Sequence, residues 1–499
     1  MSSFPASAEA FAQVAQVAPE PRGPTTRHAA AEKGVLGLRV TYQSFDADRP
    51  WRKNLPATRF GMAALVAGPT LVTTAQNIMH ATLVEAEKFG RTPRTPARVV
   101  HVDWELNLAL LQVDDPAFFA DLRPLELAAS TPNSGTVQSA RWLNQQIEVS
   151  ECRVKRLQVG EARFSRLRHT YLLAQTDLSG GGWAEPVLQG DQLIGLATAQ
   201  DGQTAWVVPV EMLRAFLQQA RDPASGKGFP VLRLYWQWNH DPALSAFLGQ
   251  EGEPQGGVLR SIPWGSTGHG VLQPRDILLS LDGHLIDSSG YYQHPRHGRL
   301  EFTNIVVEGH QVGDVVPATV LRAGQVVELE LTLRPYPMDL DLILVRRVEE
   351  PPPYVIAGGL VFLELDGDYL LSWGPEWAEK APAQLVSLYY TSEGEQTPTR
   401  RRIILLSQVL PAPYNLGYQG LRDLPVRSIN GRPIDSLPGV VEALQHPQDG
   451  FHTVDFWPNE ERIEAVLDAA TLDEATAEIL VDYQIPAAMR LPKRPLPEL

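Results

Sequence analysis

The sequence predicts a mainly β protein of several domains, and three observations support this. Glycine and proline are abundant, with 39 and 41 residues among 499, and they favour frequent turns over long helices. Short apolar runs of strand length follow one another between those turns, as in GVLGLRVTY, MAALVAGPTLVTT and DQLIGLATA. At roughly 150 residues per domain, the length corresponds to about three domains.

In chain order, the predicted segments differ in composition and periodicity. An Ala- and Pro-rich stretch without periodicity predicts a flexible leader, and β-type runs follow it up to a helix predicted over EMLRAFLQQAR at 211–221. DPASGKG then predicts a linker, and RAG between two alternating apolar runs predicts a hairpin. The predicted segments are a leader at 1–32, a β domain at 33–225, mixed αβ domains at 226–335 and 336–490, and a tail at 491–499.

The two mixed αβ domains contain an internal repeat. LRDLPVRSINGRPI in the second domain corresponds to LQPRDILLSLDGHLI in the first, and YVIAGGLVFLEL corresponds to QGGVLRSI. We therefore predict two copies of one module, the second carrying an insertion at 365–402.

Charge and cysteine content exclude several kinds of site. A net charge of −15 argues against non-specific nucleic-acid binding, so Arg400, Arg401 and Arg402 are predicted as a solvated strand start or an intersubunit contact. The single cysteine, Cys152, excludes a disulfide framework and Cys-based metal sites. HPRHGR at 294–299 lacks acidic or Cys partners nearby in sequence, so neither a metal nor a cofactor is predicted.

No apolar window is long enough to span a bilayer, and the N-terminus lacks the basic and apolar regions of a signal peptide. These features predict a soluble protein that is cytoplasmic, or periplasmic if the chain is a processed form.

Three stretches of the first domain resemble a known family. GPTLVTTAQNIMHA, ARVVHVDWELNLALLQV and QTDLSGGGWAEPVLQGDQLIGLAT resemble the chymotrypsin-like domain of HtrA/Deg serine proteases, where they carry the catalytic His (LTNAHVV), Asp (DxxxDLALLKV) and Ser (GNSGGPV). The next two units resemble PDZ domains, the second being similar to that of plant-type Deg proteins. The resemblance implies a chymotrypsin-like double β-barrel followed by two PDZ (αβ) domains, and assembly into trimers or their multiples.

The resemblance does not extend to the catalytic residues. Alignment of the three motifs places Gln76 at the histidine, Asn107 at the aspartate and Trp183 at the serine, with Gly181 as the remnant of the oxyanion loop. An amide cannot accept a proton near neutral pH, and an indole carries no nucleophile. The sequence therefore predicts a pseudoprotease.

Alternatives to this interpretation remain open. Ser179, in another register of the serine motif, could form a shifted triad with His80, which lies four residues after Gln76 and would share its face on a helix, and Asp103 or Glu105 could supply the carboxylate. Otherwise His80 is predicted to be an exposed helix residue. The indole at the serine position could fill the former cleft as core or line a retained peptide groove. Gln76 and Asn107 are predicted to form a mutual or backbone hydrogen-bonded pair.

The glycine-containing loops of the PDZ-like modules are the predicted peptide sites. A PDZ domain binds an extended peptide beside a strand and its terminal carboxylate at converging backbone amides, which glycine permits. For the first module, where peptide binding is expected, the predicted residues are Gln255, Gly256, Gly257, Val258 and Leu259. For the second module, the predicted residues are Ala357, Gly358, Gly359, Leu360, Val361 and Phe362. A structural or assembly role is favoured there, because the insertion and the C-terminal extension could cover the groove.

Together these features predict a catalytically inactive HtrA/Deg-like protein that binds peptide or protein C-termini as a scaffold, chaperone-like binder or regulator. Its expected partners are further copies of itself or an active relative. The alternative is an active serine endopeptidase of protein quality control that uses the shifted triad.

Overall fold

The computed structural model describes residues 29–88, 94–143, 146–221, 228–336, 338–348, 350–458 and 464–493. They form two compact units. The first comprises the described parts of 1–43 and 56–336, and the second those of 44–55 and 337–499. The domains predicted at 33–225 and 226–335 therefore lie in one unit, apart from 44–55. Among the described residues, no helix has both the length and the apolar character needed to cross a membrane.

A closed six-stranded barrel begins the first unit, with strand order β1-β2-β3-β6-β5-β4. Its buried core contains inward-facing aliphatic residues from alternating strand positions, such as Leu36, Leu38 and Val40. The strands are β1 (Val35–Tyr42), β2 (Ala57–Ala67), β3 (Thr70–Thr73), β4 (Ala81–Glu87), β5 (Thr95–Asp103) and β6 (Leu108–Gln112), and the helices are α1 (Ala29–Gly34) and α2 (Ala75–Ile78).

The second sheet has the order β11-β8-β9-β10-β13-β12-β7, and β11 also pairs with β12, which closes a second barrel. The predicted helix at 211–221 is confirmed as α3 (Val210–Arg221), whose buried face includes Met212, Leu213 and Phe216. The strands are β7 (Glu126–Leu127), β8 (Thr136–Leu143), β9 (Gln146–Glu161), β10 (Arg168–Gln175), β11 (Pro186–Gln189), β12 (Gln192–Asp201) and β13 (Thr204–Pro209). Two successive β-barrels confirm the predicted mainly β, chymotrypsin-like fold.

The first αβ module completes this unit with a sheet of order β14-β15-β16-β20-β21, in which β17 also pairs with β16. The predicted RAG hairpin is confirmed, since Arg322 pairs with Gln325 and the two turn residues, Ala323 and Gly324, have positive φ angles. The elements are β14 (Tyr235–Gln237), α4 (Pro242–Phe247), β15 (Gly257–Ser261), β16 (Ile277–Leu281), β17 (His284–Leu285), β18 (Tyr291–His294), β19 (Gly298–Glu301), β20 (Val315–Arg322) and β21 (Gln325–Thr332).

The second unit is built on a sheet of order β28-β27-β25-β24-β23-β22-β29, in which β26 also pairs with β25. The predicted insertion at 365–402 carries its first three helices. The elements are β22 (Tyr354–Ala357), β23 (Leu360–Glu364), α5 (Gly367–Leu370), α6 (Trp377–Lys380), α7 (Ala383–Thr391), β24 (Ile404–Val409), β25 (Leu424–Ile429), β26 (Arg432–Pro433), α8 (Leu437–Leu444), β27 (Phe451–Phe456), β28 (Glu464–Asp468), α9 (Leu472–Asp482) and β29 (Met489–Arg490).

The two modules share a strand order, which corrects part of the predicted repeat. β16–β17 and β25–β26 are equivalent hairpins, each turning on two residues with positive φ angles, Asp282-Gly283 and Asn430-Gly431. In the first module the strand paired with β16 before its hairpin is β15, and in the second module the strand in the equivalent place beside β25 is β24. QGGVLRSI therefore corresponds to β24 and not, as predicted, to YVIAGGLVFLEL.

The flexible leader predicted at 1–32 ends too late. Residues 29–32 already belong to helix α1, where Ala31 is fully buried, while 1–28 lie outside the described residues. Most of the predicted linker, 222–227, and part of the predicted tail, 494–499, also lie outside them.

Candidate functional site: a self-occupied active-site loop

The positions predicted for the catalytic histidine and aspartate lie together in the first barrel. α2 carries Gln76, and the turn before β6 carries Asn107, which has a positive φ angle of 57°. The backbone N–H of Gln76 donates to Oδ1 of Asn107 at 2.9 Å, and the N–H of Ala75 donates to its carbonyl at 3.1 Å. Both side chains are almost fully buried, so Asn107 acts here as a backbone-capping residue.

The side chain of Gln76 holds the loop at 178–185. Its Nε2 donates to the carbonyl of Gly182 and, at 3.2 Å, to that of Thr198 on β12. The neighbouring Asn77 donates from Nδ2 to the carbonyl of Trp183 at 3.1 Å, which also accepts from the N–H of Met62 at 2.9 Å. A glutamine that donates to two carbonyls links secondary-structure elements and has no proton-accepting role.

The backbone amides of this loop already have acceptors within the chain. The N–H of Gly181 donates to Oε1 of Gln200 at 2.7 Å. The N–H groups of Gly182 and Trp183 both donate to Oε2 of Glu185, each at 2.8 Å. The resemblance assigns Gly181 to the oxyanion loop, and its amide is one of three successive amides that donate to side chains of the same chain.

Glu185 is a buried carboxylate in a charged setting. Oε1 of Glu185 lies 3.6 Å from Nη2 of Arg141, which also donates from Nη1 to the carbonyl of Ser179 at 2.8 Å. Burial raises the pKa of Glu185, while Arg141 and the two loop amides act in the opposite direction. The sequence analysis missed Glu185 and Gln200. The available signal was WAEPV, which has a glutamate where the family motif SGGPV has its second glycine.

The residues of the shifted triad have other environments than predicted. α2 ends at Ile78, so His80 is not on an exposed helix face. It is half-buried with a positive φ angle of 56°, and its carbonyl accepts from the N–H of Gln43 at 3.1 Å. Ser179 is exposed. The indole of Trp183 is half-buried, and both of its possible roles stay predictions.

The candidate replacement carboxylates lie at the corner between β5 and β6. Oδ1 of Asp103 accepts from the N–H of Leu106 at 2.9 Å, so this carboxylate caps the turn. Burial, together with the nearby Asp103, raises the pKa of Glu105 to about 8. Nothing in these contacts links either carboxylate to His80.

In the first PDZ-like module, the predicted peptide strand is internal to the sheet. Gly256 has a positive φ angle of 76°, and a Cβ there would lie 2.5 Å from the carbonyl of Leu278, so this position requires glycine. Val258 and Leu259 are buried in β15, which pairs with β14 on one side and with β16 on the other. Gln255 to Leu259 therefore offer no free edge for strand addition, which corrects the predicted mode of binding there.

One edge of this sheet is β14. It pairs with β15 alone among the described strands. On the other side of β15, the N–H of Leu259 donates to the carbonyl of Asp276, and the carbonyl of Leu259 accepts from the N–H of Arg275. Leu259 therefore makes no backbone bond to Trp236, the β14 residue opposite it, and the backbone groups of Trp236 point away from the sheet.

In the second module, the two glycines form a hairpin turn. Gly358 and Gly359, with positive φ angles of 56° and 88°, connect β22 to β23. The N–H of Gly358 donates to Oγ1 of Thr476 on α9 at 2.8 Å, and its carbonyl accepts from Nδ2 of Asn415 at 2.8 Å. The amide predicted to bind a peptide carboxylate therefore already has an acceptor.

The two strands joined by this glycine turn are each flanked on both sides by other strands. Leu360 and Val361 lie in β23, between β22 and β24. The outer edge of β22 pairs with β29, where the N–H of Ile356 donates to the carbonyl of Ala488 at 2.7 Å. The C-terminal extension thus pairs with β22, and β22 in turn covers β23, the strand equivalent to β14 of the first module.

The basic run at 400–402 is not uniformly solvated. Arg402 is buried, donates to the carbonyls of Asp339 and Asp341, and lies 3.6 Å from Glu364. Glu364 also pairs with Arg347 at 2.7 Å. This corrects the prediction for Arg402, which takes part in a buried charge cluster.

The HPRHGR stretch has an acidic partner that the sequence analysis missed. His294, His297 and Glu308 each bring one potential ligand atom within 4.8 Å of the others. Nδ1 of His294 accepts from the N–H groups of Arg296 and His297, at 3.1 Å each, so its proton lies on Nε2, 3.4 Å from Glu308. A metal needs a lone pair at that nitrogen, so this geometry favours a hydrogen-bonded cluster.

Comparisons with known proteins agree with the geometry of both units. A protein-family profile described as a PDZ domain matches residues 343–490. Protease Do-like 2, chloroplastic, of Arabidopsis thaliana is 24% identical over 464 residues, covering 91% of this chain and 74% of the relative. Protease Do-like 4, mitochondrial, from the same plant is 24% identical over 467 residues, covering 92% and 85%. These similarities support an HtrA/Deg-type family of PDZ-containing, trypsin-like proteases as the group that the chain resembles.

A solved structure titled HtrA-type protease AlgW with decapeptide is 19% identical, with a TM-score of 0.44, and covers 62% of this chain and 99% of its own. Several HtrA/Deg relatives are thus named as proteases, and the names of the plant relatives assign them to chloroplasts and mitochondria.

Proposed function

We propose that this HtrA/Deg chain is catalytically inactive and binds peptides through its first PDZ-like module. One observation carries the proposal of inactivity: Glu185 accepts hydrogen bonds from the amides of Gly182 and Trp183, and Gln200 from that of Gly181. The carboxylate of Glu185 and the amide oxygen of Gln200 thus engage the backbone donors that a developing oxyanion would need.

The chemistry of the three triad positions supports the same conclusion. Acyl transfer needs a nucleophilic hydroxyl, an imidazole base and a carboxylate that orients it. Loss of the nucleophile or the base alone costs on the order of 10⁶-fold in kcat in a well-studied serine protease. Gln76 instead donates to two carbonyls, and Asn107 accepts from a backbone amide.

The open edge of β14 supports peptide binding at the first module. An extended peptide can add to a strand whose outer backbone groups are free, and side-chain pockets then select its residues. Trp238, which follows β14, is 57% exposed and stacks on His240 with the ring centroids 5.2 Å apart. An aromatic surface beside an open edge suits an extended peptide with an apolar side chain.

Reaction with a fluorophosphonate probe and turnover of casein test inactivity. We expect background labelling and no turnover, and a Ser179→Ala variant is the matched control. Labelling of the wild type that disappears in this variant would show that the shifted triad operates and would overturn the proposed inactivity.

Backbone methylation of the peptide tests binding at β14. The tightest binder is first selected from a library of C-terminal peptides and then N-methylated at one position at a time. Only Trp236 of the three-residue strand β14 directs its backbone groups outward, so we expect affinity to fall when the N–H of the peptide residue opposite Trp236 is methylated and to persist at the two neighbouring positions. Uniform tolerance of methylation would exclude strand addition.

A further inference from the structure

The segment Ser44–Leu55, hereafter the Trp51 loop, connects β1 to β2 in sequence but belongs to the second unit. Its own bonds close it into a compact turn. The N–H of Asn54 donates to the carbonyl of Ser44 at 2.9 Å, and the N–H of Asp46 to that of Arg52 at 3.1 Å. Oδ1 of Asp46 accepts from the N–H of Asp48 at 3.1 Å. The loop is therefore preorganised, which lowers the entropic cost of binding it.

Two neighbouring apolar residues anchor the Trp51 loop. Pro50 is buried and Trp51 half-buried, whereas the following residues at 52–58 are exposed. The indole of Trp51 contacts the ring of Tyr354 edge-on, with centroids 5.7 Å apart. Ala47 and Trp51 both pack against the apolar core of the second unit. A small buried anchor surrounded by exposed residues is the pattern of an interface hot spot.

Side chains from β24 and β29 also bind the main chain of the Trp51 loop. Nε2 of Gln408, on β24, donates to the carbonyl of Asp48. Nη1 of Arg490, on β29, donates to the carbonyl of Pro50 at 3.0 Å, and its guanidinium lies over the ring of Tyr354. Side chains that donate to backbone carbonyls beside an aromatic anchor are typical of peptide recognition.

We propose that Tyr354, Gln408 and Arg490 form a recognition site for a Pro-Trp loop, and that the Trp51 loop is its resident ligand. This site uses a different surface from the β14 edge and goes beyond the proposed function. Because the resident loop is covalently attached at both ends, its effective concentration at the site is high and it excludes a free loop of the same chemistry. Release of Trp51 opens the site.

Full-length chains and a labelled peptide test the site. The probe is a fluorescein-labelled cyclic peptide of the sequence SFDADRPWRKNL, measured by fluorescence polarisation against the wild type and a Pro50→Ala/Trp51→Ala variant. We expect binding to the variant and none to the wild type, because only the variant has lost the resident anchors. A peptide with alanine at its Pro and Trp positions should not bind.

Two substitutions in that variant background locate the bound peptide. Arg490→Ala should weaken binding about tenfold or more, the loss expected when a charged hydrogen bond is removed. Arg432→Ala is the matched control, because Arg432 on β26 pairs with the exposed Glu442 at 3.1 Å and not with the loop, and it should leave affinity unchanged.

Absence of peptide binding to the Pro50→Ala/Trp51→Ala variant, or equal affinity with and without Arg490, would overturn the proposal. If that variant does not fold, Trp51→Phe decides, since it keeps an aromatic ring against Tyr354. We expect weak but measurable binding to the Trp51→Phe chain, and a folded Trp51→Phe chain that binds no peptide at all would equally refute the site.

Discussion

Rebuilding the catalytic triad measures how strongly Glu185 blocks hydrolysis. The perturbation is the triple substitution Gln76→His, Asn107→Asp and Trp183→Ser, made with and without Glu185→Gly. With Glu185 retained, the amides of Gly182 and position 183 still donate to its carboxylate at 2.8 Å, and the site has no free donors for an oxyanion. The triple variant alone should therefore remain close to background.

The size of the effect follows from the number of amides that are released. Removal of a single oxyanion donor costs about 10²–10³ in kcat, or ~2.7–4 kcal/mol. Glu185→Gly releases the amides of Gly182 and position 183, whereas the amide of Gly181 still donates to Gln200 at 2.7 Å, so we count the gain of about one oxyanion donor. We therefore expect the fourfold variant to react about 10²–10³ times faster than the triple variant.

The assay is the rate of fluorophosphonate labelling, together with the acyl-enzyme burst on a chromogenic ester. Glu185→Gln in the triple background is the matched control, because the amide oxygen still accepts from both N–H groups and activity should stay low. Trp183→Ala in place of Trp183→Ser checks that labelling needs the new hydroxyl. Equal labelling rates with and without Glu185→Gly would refute the argument that Glu185 occupies the oxyanion donors.

Three further predictions concern stability. Burial raises the pKa of Glu185, so the contribution of this group to the free energy of unfolding is most favourable below about pH 4.5 and is lost as pH rises through the raised pKa. Glu185→Gln should therefore flatten the pH dependence of stability measured by urea unfolding, and identical pH profiles for the two proteins would contradict this. Arg347→Met leaves the buried Glu364 without its partner at 2.7 Å and should cost the second unit about 3–5 kcal/mol, measured as faster hydrogen exchange in β23; unchanged exchange would indicate a hydrated pair. Arg168 binds Glu301 through two hydrogen bonds of 2.8 and 2.9 Å, so a double-mutant cycle should give about 1 kcal/mol of coupling that falls in high salt, whereas zero coupling would assign the pair no role in stability.

Features encoded by near neighbours in the chain could be predicted from sequence. The helix at 211–221 and the turn at Ala323-Gly324 both follow from local periodicity and backbone preferences, and both are confirmed. The three motif alignments also brought Gln76, Asn107 and the loop of Trp183 to one place, because the spacing of barrel strands is part of the motifs themselves.

Features that depend on distant partners could not be predicted in this way. Whether a strand is internal or at an edge depends on its neighbours, so the glycine loop at 255–259 looked like a peptide site although β14 and β16 flank β15. Glu308, which approaches His294, is 14 residues away in sequence, and Arg402 becomes buried only through residues near 340 and 364.

The amino-acid sequence by itself determined the mainly β fold, and it predicts two successive modules and Gln76, Asn107 and Trp183 at the catalytic positions, because residue identity and local periodicity suffice for these. Only the tertiary structure decided that Glu185 and Gln200 accept from the loop amides, that β29 pairs with β22 whereas β14 pairs with β15 alone among the described strands, and that the Trp51 loop packs on Tyr354. Each of these is a pairing of backbone donors, acceptors or apolar surfaces between distant segments, and the free energy of such pairings depends on three-dimensional proximity, which no local pattern encodes.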